Sequence, residues 1–483
     1  MITSAVRTLA TELTGEGLPA YVYDLAALRA HARAVRDALP PGLELYYAAK
    51  ANPAPAVLQA LAPHVTGYEV ASGGEAEHVR AAVPGAPLAF GGPGKTEGEL
   101  RRALALGVER FHVESEQELR QLAGAAQDAG IDTVDVLLRV NLPLNGERTD
   151  AEGLRSEGLL GERADGSGLL GERVGGEGLR STAPGAPASG GTTPGGAVSG
   201  GTTPGGAVSG GTTPGGAVSG GAAPHGALLG GAALAMGGGP SPFGLDPEAV
   251  ERCLAQLTQP APGNPLRLRG IHAHLASGLD APAQVAVAAA IVDWARKLSE
   301  RHGLGITEVN VGGGMGVDYA RPDRRFDWAA YGRGIADLAL RHPGLTLRIE
   351  PGRALTVYCG WYVTEVLDIK HSGGEAFAVV RGGTHHLRTP ATKRHDQPFQ
   401  VLPTDAVWTR PWTRPAVRDE PVTLVGQLCT PKDVLASRVP VAELRVGDRV
   451  AFAMAGAYAW NISHHDFLMH PKPGFHYLEA SPT

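Results

Sequence analysis

Leu43-Glu44-Leu45-Tyr46-Tyr47-Ala48-Ala49-Lys50-Ala51-Asn52 is the stretch from which the rest of this chain is read. Leu43 to Leu45 alternates apolar and polar, and Pro53 and Pro55 follow Asn52. The pattern predicts a buried strand that ends at a lysine and then turns into a helix. Only seven of the 43 Lys+Arg residues are lysines, so chance is a poorer explanation of one here. A lone lysine at a strand end usually reaches water. In a pocket it becomes a nucleophilic amine.

Outward from this stretch, short apolar runs alternate with helical periodicity. Strands are predicted at Leu43–Ala48, Gly67–Ala71, Pro87–Gly91, Arg110–Val113, Val134–Asn141, Leu268–Leu275, Glu308–Val311 and Thr346–Glu350. A helical pattern at Leu25–Leu39 precedes them, and others such as Ala54–Leu61, Glu97–Leu106 and Glu116–Ala126 lie between them. Eight strands in that alternation predict an α/β fold, a (β/α)8 TIM barrel, over a doubly wound sheet. After Glu350 the pattern becomes β-rich: Trp361–Ile369, Ala376–Val380, Val422–Val425 and Arg449–Met454. These predict a C-terminal all-β domain. The expected layout is a strand within 1–27 joining the β-domain, a barrel over 28–350 and the β-domain over 351–483.

A tract from about 146 to 238 interrupts the barrel. GLLGER occurs at Gly158–Arg163 and again at Gly168–Arg173, and GTTPGGAVSG occurs three times in tandem from Gly191 to Gly220. Few large apolar side chains are present, so the tract is expected to be a disordered insertion. Glycine is not at every third position, which excludes collagen.

The net charge of -6 gives no reason to expect nucleic acid or an anionic membrane as partner. Cys253, Cys359 and Cys429 are far apart without CxxC spacing, which argues against zinc and disulfides and for a reducing, cytoplasmic setting. Met1 to Leu13 has no apolar core of signal-peptide type, and no apolar run is long enough to span a bilayer.

In a barrel of this type the site lies at the C-terminal ends of the strands. Those ends carry Lys50, then Glu69 with Ser72-Gly73-Gly74-Glu75, then His272, His274 and Ser277-Gly278. Gly312-Gly313-Gly314-Met315-Gly316 and Glu350-Pro351-Gly352-Arg353 complete the rim. Taken singly, each has an ordinary reading: a glycine turn, a structural histidine, a surface EPGR turn. Together they suit pyridoxal 5'-phosphate (PLP). Lys50 would bond the carbonyl carbon, and the glycine turn would bring backbone N–H groups to a phosphate. Arg353 and Ser277 would add donors, His274 would stack on the ring, and Glu350 would keep the ring nitrogen protonated. In the β-domain Cys429 lies in Gly426–Asp433 and suits proton donation, although a lone cysteine is ordinarily inert.

The chain resembles the fold-III PLP-dependent decarboxylases, the group of diaminopimelate, ornithine and arginine decarboxylases. The motifs are YYAAKAN, EVASGGEAE, FGGPGKTEGEL, LLRVN, SPFG, GIHAHLASG, VGGGMGVDY, EPGR, GQLCTPKD and GAY, in the family's order. The resemblance implies the roles just given for Lys50, His274 and Glu350. It also implies Ser277, Gly313, Gly314, Arg353 and Tyr458 around the phosphate. Glu69 and Gly312 are expected beside the cofactor. The resemblance further implies a homodimer in which Cys429 and Asp433 reach the neighbouring site.

Two departures bear on substrate. The diamine-forming members have an acid directly after the cysteine, where this chain has Thr430. The family's tail after GAY has a YN or FN pair, where this chain reads Trp460-Asn461-Ile462-Ser463-His464-His465-Asp466-Phe467-Leu468-Met469-His470-Pro471. Both are similar to the siderophore-biosynthesis subgroup, which decarboxylates an amino-acid portion joined to a carboxylate-rich unit. Arg388, Thr430, Asp433, His464 and His465 are therefore expected at the substrate. Diaminopimelate or ornithine decarboxylation is the alternative, followed by a non-catalytic binding protein. Racemase chemistry is disfavoured by Glu350, because racemases of this fold put an arginine at the ring nitrogen.

Overall fold

The computed structural model describes residues 2–142, 234–235, 237–258, 263–390, 395–405 and 407–479. Eight parallel strands close a barrel in the order Glu308–Asn310, Thr346–Ile349, Glu44–Ala48, Gly67–Val70, Leu88–Phe90, Arg110–Val113, Val134–Arg139 and Leu266–His272. All eight coincide with predicted strands to within a few residues. The fold is the expected TIM barrel followed by a mostly-sheet C-terminal domain.

Local chemistry starts the helices that separate the strands. Ser72, Thr96, Ser115, Asp280 and Asp327 each accept a hydrogen bond from a first-turn backbone N–H, satisfying a donor that the helix leaves free. Helix faces such as Leu119, Leu122, Ala125 and Ala126 then pack onto the barrel wall. The N-terminal end of the barrel is closed by ion pairs. Arg110 Nη2 meets Glu308 at 2.7 Å, Arg348 Nη2 meets Glu44 at 2.5 Å and Arg267 Nε meets Asp135 at 2.5 Å. Charge is thus gathered at the face that builds stability, leaving the opposite face for chemistry.

The second domain is a sheet in the order Phe399–Leu402, Arg449–Phe452, Gly360–Ser372, Glu375–Val380, Ala416–Val425 and Val434–Arg445. Ala20–Asp24, wholly buried, pairs antiparallel with Gly360–Ser372 and parallel with Gly474–Leu478. The expected insertion over 146–238 lies outside the described residues except at its end. There Leu234–Ala235 pairs with Ala276–Ser277, and Gly237 N donates to Leu275 O at 3.1 Å. Among the described residues no helix is long and apolar enough to cross a membrane.

Candidate active site

Lys50 lies just past its strand, in the short turn Ala49–Ala51. Its Nζ donates to both oxygens of Glu69, at 2.9 and 2.7 Å, from the end of the neighbouring strand. Burial alone lowers the lysine, but the charges of Glu69, Tyr458 and Glu350 outweigh it and the pKa is raised. Glu69 is buried at 5% exposure and held above the usual carboxylate range by desolvation, against the pull of Lys50. The turn is tied to the sheet domain: Tyr458 N donates to Ala51 O at 2.7 Å and Asn461 Nδ2 to Lys50 O at 2.6 Å.

The glycine turn orients two groups at once. Gly312 N donates to Asn310 Oδ1 at 2.9 Å, and Asn310 Nδ2 donates to Glu350 Oε1 at 2.7 Å. Gly313 N donates to His274 Nδ1 at 3.1 Å, and His274 Nε2 lies 3.3 Å from Ser277 Oγ. Because Nδ1 accepts, a neutral His274 carries its proton on Nε2 and donates it to Ser277. Burial, with Lys50 and Arg139 nearby, pushes this imidazole down to about 4. Gly314 has φ +95, and a Cβ there would lie 2.1 Å from Ala276 O, so glycine is required. His274 was expected within its strand. The strand ends at His272 instead, and His274 stands in the loop that follows.

Behind Glu350 the barrel interior is polar. His112 and His272 stack with centroids 4.2 Å apart, and His272 Nε2 lies 3.4 Å from Glu350 Oε2. Arg353 Nη1 donates to Tyr319 OH at 2.7 Å, and its guanidinium lies 4.6 Å from the Tyr458 ring centroid. Tyr458 has φ +48, an uncommon value for a tyrosine, and its carbonyl accepts from Thr389 Oγ1 at 2.6 Å. The structure thus brings Lys50, Glu69, His274, Ser277, Gly312, Gly313, Gly314, Glu350, Arg353 and Tyr458 to one rim.

The β-domain residues behave differently. Cys429 is exposed on its turn. Among the described residues no hydrogen bond or ion pair joins Cys429, Thr430 or Asp433 to the Lys50–Glu350 rim. Asp433, expected at the substrate, is turned toward its own loop. It is 2% exposed, and its carboxylate already accepts from Thr384 N, Thr384 Oγ1 and Leu428 N at 2.6, 2.8 and 2.8 Å. Its geometry is that of a clamp on the cysteine turn. His464 Nδ1 faces Arg388 Nη1 at 3.3 Å. His465 stacks on Trp460 at 3.5 Å, with Nε2 against the Trp460 carbonyl, so one of its two nitrogens is spent on the loop.

Asn310, His112, Tyr319 and Asn461 were missed from the sequence. A polar residue inside Val309-Asn310-Val311 or Phe111-His112-Val113 breaks the apolar run of a buried strand, which was the available signal. Tyr319 closes the VGGGMGVDY motif and Asn461 stands where the family has its YN or FN pair, so both lay inside quoted motifs without a role being drawn from them.

A family model described as pyridoxal-dependent decarboxylase, C-terminal sheet domain, matches residues 20–456. A Staphylococcus aureus protein, 2-[(L-alanin-3-ylcarbamoyl)methyl]-2-hydroxybutanedioate decarboxylase, is 32% identical over 464 residues, 95% of this chain and 93% of that protein. L-glutamyl-[BtrI acyl-carrier protein] decarboxylase from Niallia circulans is 27% identical over 472 residues, 94% of this chain and 87% of its own length. Among solved structures, diaminopimelate decarboxylase from Helicobacter pylori complexed with L-lysine matches with a TM-score of 0.68 at 21% identity, covering 98% of this chain and 94% of that one.

Proposed function

Because this chain belongs to the pyridoxal-dependent decarboxylase family, we propose that it removes the α-carboxylate from an amino-acid unit carried on a polycarboxylate, as a step of siderophore biosynthesis. The observation that carries the assignment of the site is the Lys50–Glu69 pair on the same rim as Glu350 and the glycine turn.

The residues fit PLP. Lys50 supplies the amine, a neutral imidazole at His274 offers a flat face, and Glu350 offers a carboxylate fixed in orientation by Asn310. Arg353, Ser277 and the Gly312–Gly314 amides supply donors suited to a phosphate. When bound, PLP supplies the electron sink that lets the bond to the carboxylate break. The protein's own part is placement and proton control. Glu69 holds the Lys50 ammonium while the amine is not in use. His274, locked by Gly313 and Ser277, presents one face without charge. Cys429, exposed on a turn clamped by Asp433, is the thiol that would return a proton after CO2 leaves.

The substrate reading rests on two supports. The relatives from Staphylococcus aureus and Niallia circulans are named for amino-acid units joined to a larger group. Thr430 offers no charge to a distal ammonium, whose desolvation would be costly without one. Arg388, bonded to the tail loop at Ser463, and His464 within that loop instead suit free carboxylates. The deciding comparison is CO2 release from citryl-diaminopropionate, diaminopimelate, ornithine, lysine and arginine at equal concentration. The conjugate should have the highest kcat/KM. A free diamino acid in first place would restore diaminopimelate or ornithine decarboxylation.

We further read the protein as a cytoplasmic homodimer in which Cys429 serves the partner's site. Lys50→Ala should take up no PLP colour and be inactive, and Cys429→Ala should be slow but bind PLP normally. Mixing the two should restore part of the activity through hybrid dimers, whereas no recovery after subunit exchange would count against a shared site.

A further inference from the structure

His272 is 4% exposed, and neither of its ring nitrogens has a hydrogen-bond partner. His112 is fully buried, and its Nδ1 is likewise unpartnered. Unpaired polar atoms in a core are costly, so a pair of such rings calls for a reason. Their position supplies one. His272 Nε2 is 3.4 Å from Glu350 Oε2, while Oε1 of the same carboxylate already accepts from Asn310 Nδ2 at 2.7 Å. His112 lies flat against His272 at an interplanar angle of 21°, with Nε2 3.8 Å from Glu350 Oε1 and 3.5 Å from Asn310 Nδ2.

We propose that His272, braced by the stacked His112 ring, is a positioning residue that steers Glu350 through an uncharged Nε2–H donor to Oε2. A small rotation about the side chain closes the 3.4 Å gap to hydrogen-bond length. Asn310 and His272 then hold one oxygen each, and the carboxylate keeps its full negative charge for the ring nitrogen of the cofactor. A lysine or arginine in place of His272 would pair with that charge and weaken Glu350 as a proton acceptor. The surroundings keep the imidazoles uncharged. Burial acts first on both, pushing them well below the ordinary histidine value. Arg139, His274, Lys50 and Lys95 act in the same direction on His272. On His112, His272, Arg348 and Lys95 do so against the opposing charge of Glu350.

This inference rests on the cofactor reading and is tested apart from turnover. The holoenzymes of wild type, His272→Phe, His272→Asn and His112→Phe are compared by PLP dissociation constant and by the pH titration of the cofactor absorption band. His272→Phe keeps the stacked ring and removes the donor. It should weaken PLP about tenfold and move the titration by about one pH unit, one unit being a tenfold change in proton affinity. His272→Asn, which retains an N–H donor, should recover part of both. His112→Phe should keep the stack and change them less. A folded His272→Phe enzyme with wild-type PLP affinity and titration would overturn the proposal. So would a tightly held metal ion in purified wild type that His112→Phe loses, since ligand atoms of His112, His272 and Glu350 lie within 4.8 Å of one another. Wild type that takes up no PLP would instead defeat the cofactor reading itself.

Discussion

His274 and His385 sit at about 4 and His386 at about 3, each lowered first by burial. Neighbouring charges add to it: Lys50 and Arg139 around His274, His470, His464 and His465 of the tail loop around His385, and His385, His470 and His465 around His386. In the unfolded chain each takes up a proton near pH 6.5, the ordinary value. Between that value and the folded one, the unfolded state binds more protons, so stability is lost as pH falls from about 6.5 toward 4. The guanidinium midpoint should drop between pH 7 and pH 5, and His385→Asn should flatten the slope. A midpoint constant over that interval would show that these histidines are not buried uncharged. Residues at strand ends were legible because the barrel architecture dictates where chemistry gathers, which is how Lys50, Glu350 and the glycine turn were found. Asn310 and His112 escaped because they lie inside strands, where alternation suggests packing rather than a hydrogen-bond network.

The turn from Gly426 to Asp433 shows what one carboxylate does for an element. Asp433 gathers Thr384 N, Thr384 Oγ1 and Leu428 N, and Gly426 N closes the turn on Asp433 O at 3.0 Å. Asp433→Ala would leave two buried N–H groups unsatisfied, at about 1–3 kcal/mol each. Unfolding should therefore shift by a few kcal/mol, with amide exchange at Leu428 and Thr384 faster than elsewhere in the sheet. Unchanged exchange would mean the turn is held by its neighbours instead. The sequence marked the Cys429 turn, and the family resemblance carried Asp433 toward a neighbouring site, but the bonds Asp433 makes to Thr384 were not legible, because Thr384 lies 49 residues away in the chain. Sheet strands were read less completely than barrel strands. Val434–Arg445 carries a proline and charged residues that break up a strand pattern, and Phe399–Leu402 has no flanking helical pattern of the kind that set off the barrel strands.

At the scale of the whole chain, the repetitive tract is where sequence alone speaks, and it argues for removability. A composition so rich in glycine, proline and threonine is not expected to build a core. The cut should respect the end that is tied down, since Leu234–Ala235 and Gly237 bond to the loop after His274. Replacing 146–230 by a short Gly/Ser linker should leave thermal unfolding and PLP uptake nearly unchanged. Insoluble protein would show that the tract takes part in folding. The position of Ala20–Asp24 between Gly360–Ser372 and Gly474–Leu478 has a bearing on biosynthesis. This strand leaves the ribosome early, yet its second neighbour is translated about 450 residues later, a wait of roughly 20–90 s at about 5–20 residues per second. Through that interval an apolar strand edge stands open on the nascent chain, a natural place for a chaperone to hold. Yield in a heterologous host should then depend on elongation rate and chaperone supply more than on the final stability of the enzyme.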